Sequence, residues 1–401
     1  MRAVLSLLVT TALVSAPAAY GQSNTQYQGG DATAVTDVEA GYAHDAGATA
    51  IAGGNVVSTT QEDSDTDLTS SQHMDGDTTA DANATVWTAE GNVAITSAAV
   101  GNGGTAVISG GSSTIEAEQL GHGDANTTTT LRNGYSYNAA TSASASSNTA
   151  AVSAENAEVR VLMNQESTGS VNASAEMDAD IVEDQAVSGV IASANNLTVG
   201  GDTATILNAT RQNATGASVT ARSDLYVGSA TDASGNATAN ANSVTIDNQW
   251  GYVNAAIEQN ATSQVQGDSY VTLGDSFTGF ASAGAYGVGN QATVANVGSD
   301  TVLDVTQSNS GGVSANAGLA GDGGGMALAS SAAYGNSITG QVCTNCDASG
   351  DVPGLYASSS QTNDGNVYSS STIRTDGAGM VGATSTAIGN AATYSARPPG
   401  G

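Results

Sequence analysis

Apolar residues in this chain come in short runs that alternate with polar ones. Ser243-Val244-Thr245-Ile246-Asp247 alternates cleanly, and Glu158-Val159-Arg160-Val161-Leu162-Met163 and Thr203-Ala204-Thr205-Ile206-Leu207 mix alternation with β-branched residues. Thr85-Val86-Trp87, Asn92-Val93-Ala94-Ile95-Thr96, Thr105-Ala106-Val107-Ile108 and Tyr270-Val271-Thr272-Leu273 are further short runs bounded by glycine or polar turn residues. A period of two sends alternate side chains to opposite faces, so these runs are predicted strands. Helical periodicity is weak, because Gly, Thr, Ser and Asn interrupt the alanines and no leucine face is sustained.

The runs recur in register. An Asn preceded by small residues reappears at Asn55, Asn102, Asn148, Asn195, Asn236, Asn290, Asn336 and Asn390, at intervals of 47, 46, 47, 41, 54, 46 and 54. A Gln mark accompanies it. Gln119, Gln165, Gln212 and Gln307 each lie 17 residues after an Asn mark, while Gln249 and Gln361 keep the motif at spacings of 13 and 25. A unit near 47 residues is the signature of stacked supersecondary units.

Small residues at fixed register with Val, Ile and Thr between them predict an all-β, elongated parallel β-solenoid of about eight repeats. A coil of roughly twenty-odd residues would place two coils in each unit, and a strand spacing of about 4.8 Å would then give a rod of roughly 75 Å. Recurrent Asn and Gln would stack as amide ladders along such a rod, or would simply occupy its turns. Residues 22–50 are expected to form an N-terminal cap, 51–394 the solenoid, and 395–401 a tail. Both solenoid ends would expose strand edges, surfaces suited to self-association or docking.

Met1-Arg2 is followed by an uncharged stretch to Val14 and small residues up to Gly21, the pattern of a signal peptide over residues 1–21. No later run approaches a membrane helix in length, so export without a transmembrane helix is expected. Seven Arg, no Lys and 37 acidic residues give a net charge of -30. Such a surface repels nucleic acid and anionic lipid and keeps an exported protein soluble.

Candidate chemistry is sparse. Cys343 and Cys346 are the only cysteines and read as a local disulfide in an exported chain. Zinc would need two more ligands, and His44, His73 and His122 lie far from them in sequence and outside any compact constellation, so no metal is expected. Asp63, Asp65, Asp67, Asp75 and Asp77 have alternating spacing, but Leu68 and Met74 stand where a calcium loop needs Gly and Glu, so a solvated acidic loop is expected. No nucleophile elbow is visible. Paired carboxylates on a coil face could cleave a polysaccharide, yet aromatic platforms are few. No catalytic residue and no cofactor is assigned.

The phrase Gln-x-x-x-Gly-x-Val, seen at Gln165-Gly169-Val171, resembles a loosened curlin repeat. Together with the long unit, the late Cys343/Cys346 insertion and the ending Ala387-Ile388-Gly389-Asn390-Ala391-Ala392-Thr393-Tyr394, it makes the chain similar to the holdfast anchor protein D family of stalked alphaproteobacteria. That resemblance implies a non-catalytic protein on the outer membrane at the cell pole or stalk tip. It further implies work with a curlin-like anchor subunit and an outer-membrane secretion lipoprotein to attach an adhesive polysaccharide, the holdfast. The residues alone also fit a generic surface adhesin or a polysaccharide-binding or polysaccharide-cleaving β-helix.

Overall fold

In the computed structural model, which describes residues 21–343 and 353–397, every regular element is a β-strand. The expected signal peptide and tail lie largely outside these residues. Twenty-four strands, β1 to β24 in chain order, form three parallel sheets of eight, each sheet taking every third strand. The first coil consists of β1 (Gln22–Gln28), β2 (Ala32–Ala40) and β3 (Ala46–Glu62). The fourth holds β10 (Glu158–Ser167), β11 (Val171–Val182) and β12 (Gln185–Asp202), and the eighth β22 (Leu355–Asn363), β23 (Val367–Arg374) and β24 (Met380–Arg397). We call the three sides sheets one, two and three in that order. The chain is a three-sided parallel β-solenoid.

The coil is twice as large as the sequence suggests. Gln165 lies opposite Gln212 and Asn195 opposite Asn242, so one unit of about 47 residues makes one coil rather than two. Eight coils at about 4.8 Å then span roughly 35 Å, not 75 Å. Sheet-three strands are the reason: β12 has 18 residues, about twice the length expected of a strand in a narrow coil. Likewise Asn92–Thr96 and Thr105–Ile108 belong to one strand, β6 (Asn92–Ser109). Residues 22–50 carry β1, β2 and the start of β3, already in register with the second coil.

Two cores fill the interior, and the long strand serves both. Between sheets two and three the core is mostly alanine: Ala173, Ala175 and Ala179 of β11 are buried with Ala186, Ala192 and Ala194 of β12, and Val171, Met177 and Val190 fill the remainder of that layer. Between sheet one and the second half of sheet three it is thicker, with Val159, Val161, Met163 and Ile206 of sheet one against Leu197 and Val199 of sheet three. Alanine permits the close approach of two sheets, and Leu, Ile and Val fill the wider space. β12 changes its inward-facing phase between the two. Ala192 and Ala194 are buried before the change, and Asn195, Leu197 and Val199 after it.

That slip explains the residue before each Asn. A Cβ added to Gly101 would sit 2.6 Å from the Ser147 carbonyl oxygen, and one on Gly335 would sit 2.5 Å from that of Gly389. The tight stack therefore favours glycine, or at most Ser or Ala, at this position. Glycines read from sequence as strand ends lie in mid-strand.

Candidate functional site

Where the three sheets meet, the inward-facing polar residues form two columns. In the first, Asn55, Asn102, Asn148, Asn195, Asn242, Asn290, Asn336 and Asn390 each donate to the next, at 2.7 to 2.9 Å. Each Asn amide from Asn55 to Asn336 also donates to a sheet-one carbonyl, as Asn195 does to Asn213 O at 2.8 Å. In the second, Gln26, Gln72, Gln119, Gln165, Gln212, Gln259, Gln307 and Gln361 donate in the reverse direction, at 2.7 to 3.0 Å. Gln212 Nε2 reaches Ser243 O of sheet three at 2.9 Å. Each column thus ties its own sheet to the other across the junction, and interior rungs satisfy both donors and the acceptor, as buried amides require.

Two residues assigned to the columns are elsewhere. Asn236 is exposed and pairs with Gly284; the column position in that coil is Asn242. Gly235-Asn236 imitates the Gly-Asn mark, while the true rung follows Ala241. Gln249 is likewise exposed at the end of β15 (Asp232–Gln249), and Gln259 holds its place. With Asn242 as the mark, Gln259 follows at the usual 17 residues. Gln26 and Gln72, which sequence reasoning missed, could have been found by counting 17 from Asn55 to Gln72 and one unit back from there.

The acidic loops are more ordered than solvated loops. Asp65 Oδ1 accepts from the Ser112 backbone N–H at 2.8 Å and Asp67 Oδ1 from Thr114 at 3.1 Å. Asp31, Asp77 and Asp124 repeat the device on Asp77, Asp124 and Ser170 at 3.0, 2.9 and 2.7 Å. In each case a carboxylate takes up an N–H of the next coil that the turn leaves open.

On the outside, sheet one offers a shallow groove of about 790 Å³ that crosses six coils. Its floor includes the register row Ser71, Glu118, Asn164, Arg211, Glu258 and Thr306. Asn164 donates to Glu118 at 3.3 Å, and Arg211 lies 3.8 Å from Glu258. The face presents hydrogen-bonding groups at the coil spacing, with no nucleophile and base poised together. A second hollow, on sheet two, holds Arg222 bonded to Asp224 at 2.6 Å and lying 5.9 Å from the centre of the Tyr270 ring.

His73 and His122 lie side by side at the turn end of sheet one. The expectation of scattered histidines fails here, because 49 residues of sequence are only one coil apart. His73 is the register partner of Tyr27 in the first coil, and His122 occupies one coil on the place of Asp75. Asp75 Oδ1 is 2.8 Å from His73 Nε2 and 3.0 Å from His122 Nδ1, and Tyr27 donates to Asp75 Oδ2 at 2.8 Å. The Tyr27 hydroxyl first, then His122, hold the Asp75 carboxyl below the usual range. His44 stands apart, 3.6 Å from Glu90. Cys343 ends β21 (Met326–Cys343), and Cys346 lies outside the described residues. Among the described residues no helix is long and apolar enough to cross a membrane.

Eight stacked coils with amide columns inside and polar faces outside define a structural β-solenoid. Its sequence matches the family described as Holdfast attachment protein D over residues 43–312, and the chain belongs to that family. It is thus a holdfast attachment protein, with the structural, cell-surface role that the family implies. No curated protein and no solved structure matches it.

Proposed function

We propose that this protein anchors the adhesive holdfast polysaccharide to the outer membrane without catalysis, by adding its strand edges to partner anchor proteins. The observation that carries the reading is the pair of open ends. Among the described residues, β1, β2 and β3 at one end, and β22, β23 and β24 at the other, each have a strand neighbour on one side only. A row of backbone N–H and C=O groups on three sides is a template for another chain's strands. The partners would be a curlin-like subunit that continues the stack and an outer-membrane secretion lipoprotein, at the cell pole or stalk tip. The groove of sheet one, crossing six coils with a row of hydrogen-bonding side chains along it, is the face suited to a long hydroxyl-rich chain.

Attachment under flow tests the reading. Cells lacking the gene are expected to make holdfast polysaccharide, visible with a lectin, and to leave it on the surface as they wash away. Normal attachment by those cells would overturn the proposal.

A further inference from the structure

We propose that His73, Asp75 and His122 form a binding site for a late first-row divalent cation of the zinc class, clasping the second and third coils near the β1 end of the solenoid. His73 Nε2, Asp75 Oδ1 and His122 Nδ1 all lie within 3.0 Å of one another. A proton can join only two of these three atoms at a time. A cation placed over the triangle they form satisfies all three.

The rings are set for it. The two imidazoles meet edge to face, with planes 88° apart and centroids 4.7 Å apart, so both nitrogens reach the same carboxylate oxygen without stacking. Ligand atoms about 2.0 to 2.1 Å from a tetrahedral zinc lie roughly 3.3 Å from each other, so the triangle need open by only a few tenths of an ångström. All three side chains are partly exposed, at 34, 39 and 38 % for His73, Asp75 and His122, which allows that movement and leaves the fourth position open to water or to a donor from another molecule. Two imidazoles with one carboxylate select zinc, copper or nickel over calcium and magnesium, which prefer oxygen alone. The Tyr27 hydroxyl on Asp75 Oδ2 keeps Oδ1 turned to the site, the kind of outer support that ligating carboxylates receive.

The test is a titration of the tag-free protein with Zn²⁺, followed by calorimetry and by the thermal midpoint. We expect one ion per chain and a midpoint that rises with Zn²⁺ and returns on adding a chelator. His73→Ala and His122→Ala should each abolish both responses, the Zn²⁺-dependent shift being read against that variant's own metal-free midpoint. Tyr27→Phe should weaken binding by roughly 10- to 100-fold. Calcium should produce no response at the same concentrations. Absence of saturable Zn²⁺ binding, or binding that survives both histidine substitutions, would overturn the proposal.

Discussion

Asn195 donates its side-chain amide to Asn242 Oδ1 at 2.8 Å, joining coils whose Asn residues are 47 positions apart. Asn242 passes the bond on to Asn290 at 2.8 Å and donates to Asn260 O at 2.9 Å. Removing one rung therefore strands groups on both neighbouring coils. Asn242→Ala should cost about 3 kcal/mol or more, from orphaned buried partners at about 1–3 kcal/mol each. Asn236→Ala, six residues earlier and exposed, should stay within about 0.5 kcal/mol. Denaturant unfolding of the two variants side by side checks the register directly; equal losses would show that the column does not run through Asn242.

The Gln column is open to the same reasoning. Gln165→Ala with Gln212→Ala removes two adjacent rungs and leaves Gln119 Oε1 without its Gln165 donor and Gln259 Nε2 without its Gln212 acceptor. The Asn196 and Ser243 carbonyls lose a donor as well, and we expect a lower thermal midpoint and a loss of several kcal/mol, on the order of the desolvation cost of the stranded groups plus the two cavities. An unchanged midpoint would count against the column as a source of stability.

Close stacking makes a sharp contrast between two glycines. A Cβ at Gly169, in the turn from sheet one to sheet two, would lie 2.0 Å from the Gly123 carbonyl oxygen. Gly169→Ala should destabilise by about 1–3 kcal/mol or more, as overpacking against backbone does. Gly189 has nothing within 4 Å of the same atom, and Gly189→Ala should be neutral or stabilising by up to about 1 kcal/mol. Urea unfolding curves of the pair give both values.

Acid should loosen the His73 corner. The Asp75 carboxyl is held below its ordinary value by the Tyr27 hydroxyl, then by His122 and the charge of His73. A group with a depressed folded pKa contributes stability above its ordinary carboxylate pKa, and that contribution is lost as pH falls through the folded value. Carboxyl NMR titration should place Asp75 below the ordinary aspartate value, and Tyr27→Phe should bring it back up.

Alkali acts elsewhere. Burial, then the neighbouring Tyr334, pushes the Tyr286 phenol up to about 12. A raised folded pKa means stability that is complete below the ordinary tyrosine value near 10 and is lost as pH rises towards about 12. Phenolate absorbance should show a late-titrating tyrosine that Tyr286→Phe removes, together with a shallower alkaline loss of stability.

The sequence by itself determined the β class, the repeat and the parallel stack, because alternation and register are properties of residue order. It also marked most column positions: seven of the eight Asn rungs, and five of the eight Gln rungs, stand at residues its pattern picks out. It misplaced Asn236 and Gln249 because Gly235-Asn236 carries the same local chemistry as a rung, although the regular spacing, 47 residues from Asn195 and 17 more to Gln259, runs through Asn242, the residue that is buried. Coil size was decided by tertiary structure. A glycine such as Gly101 reads as a strand end in one dimension, whereas in the stack it marks where β6 turns its inward face from the alanine core to the aliphatic one. The meeting of His73, Asp75 and His122 was invisible for the same reason: residues one coil apart are about 4.8 Å apart in space whatever their separation along the chain.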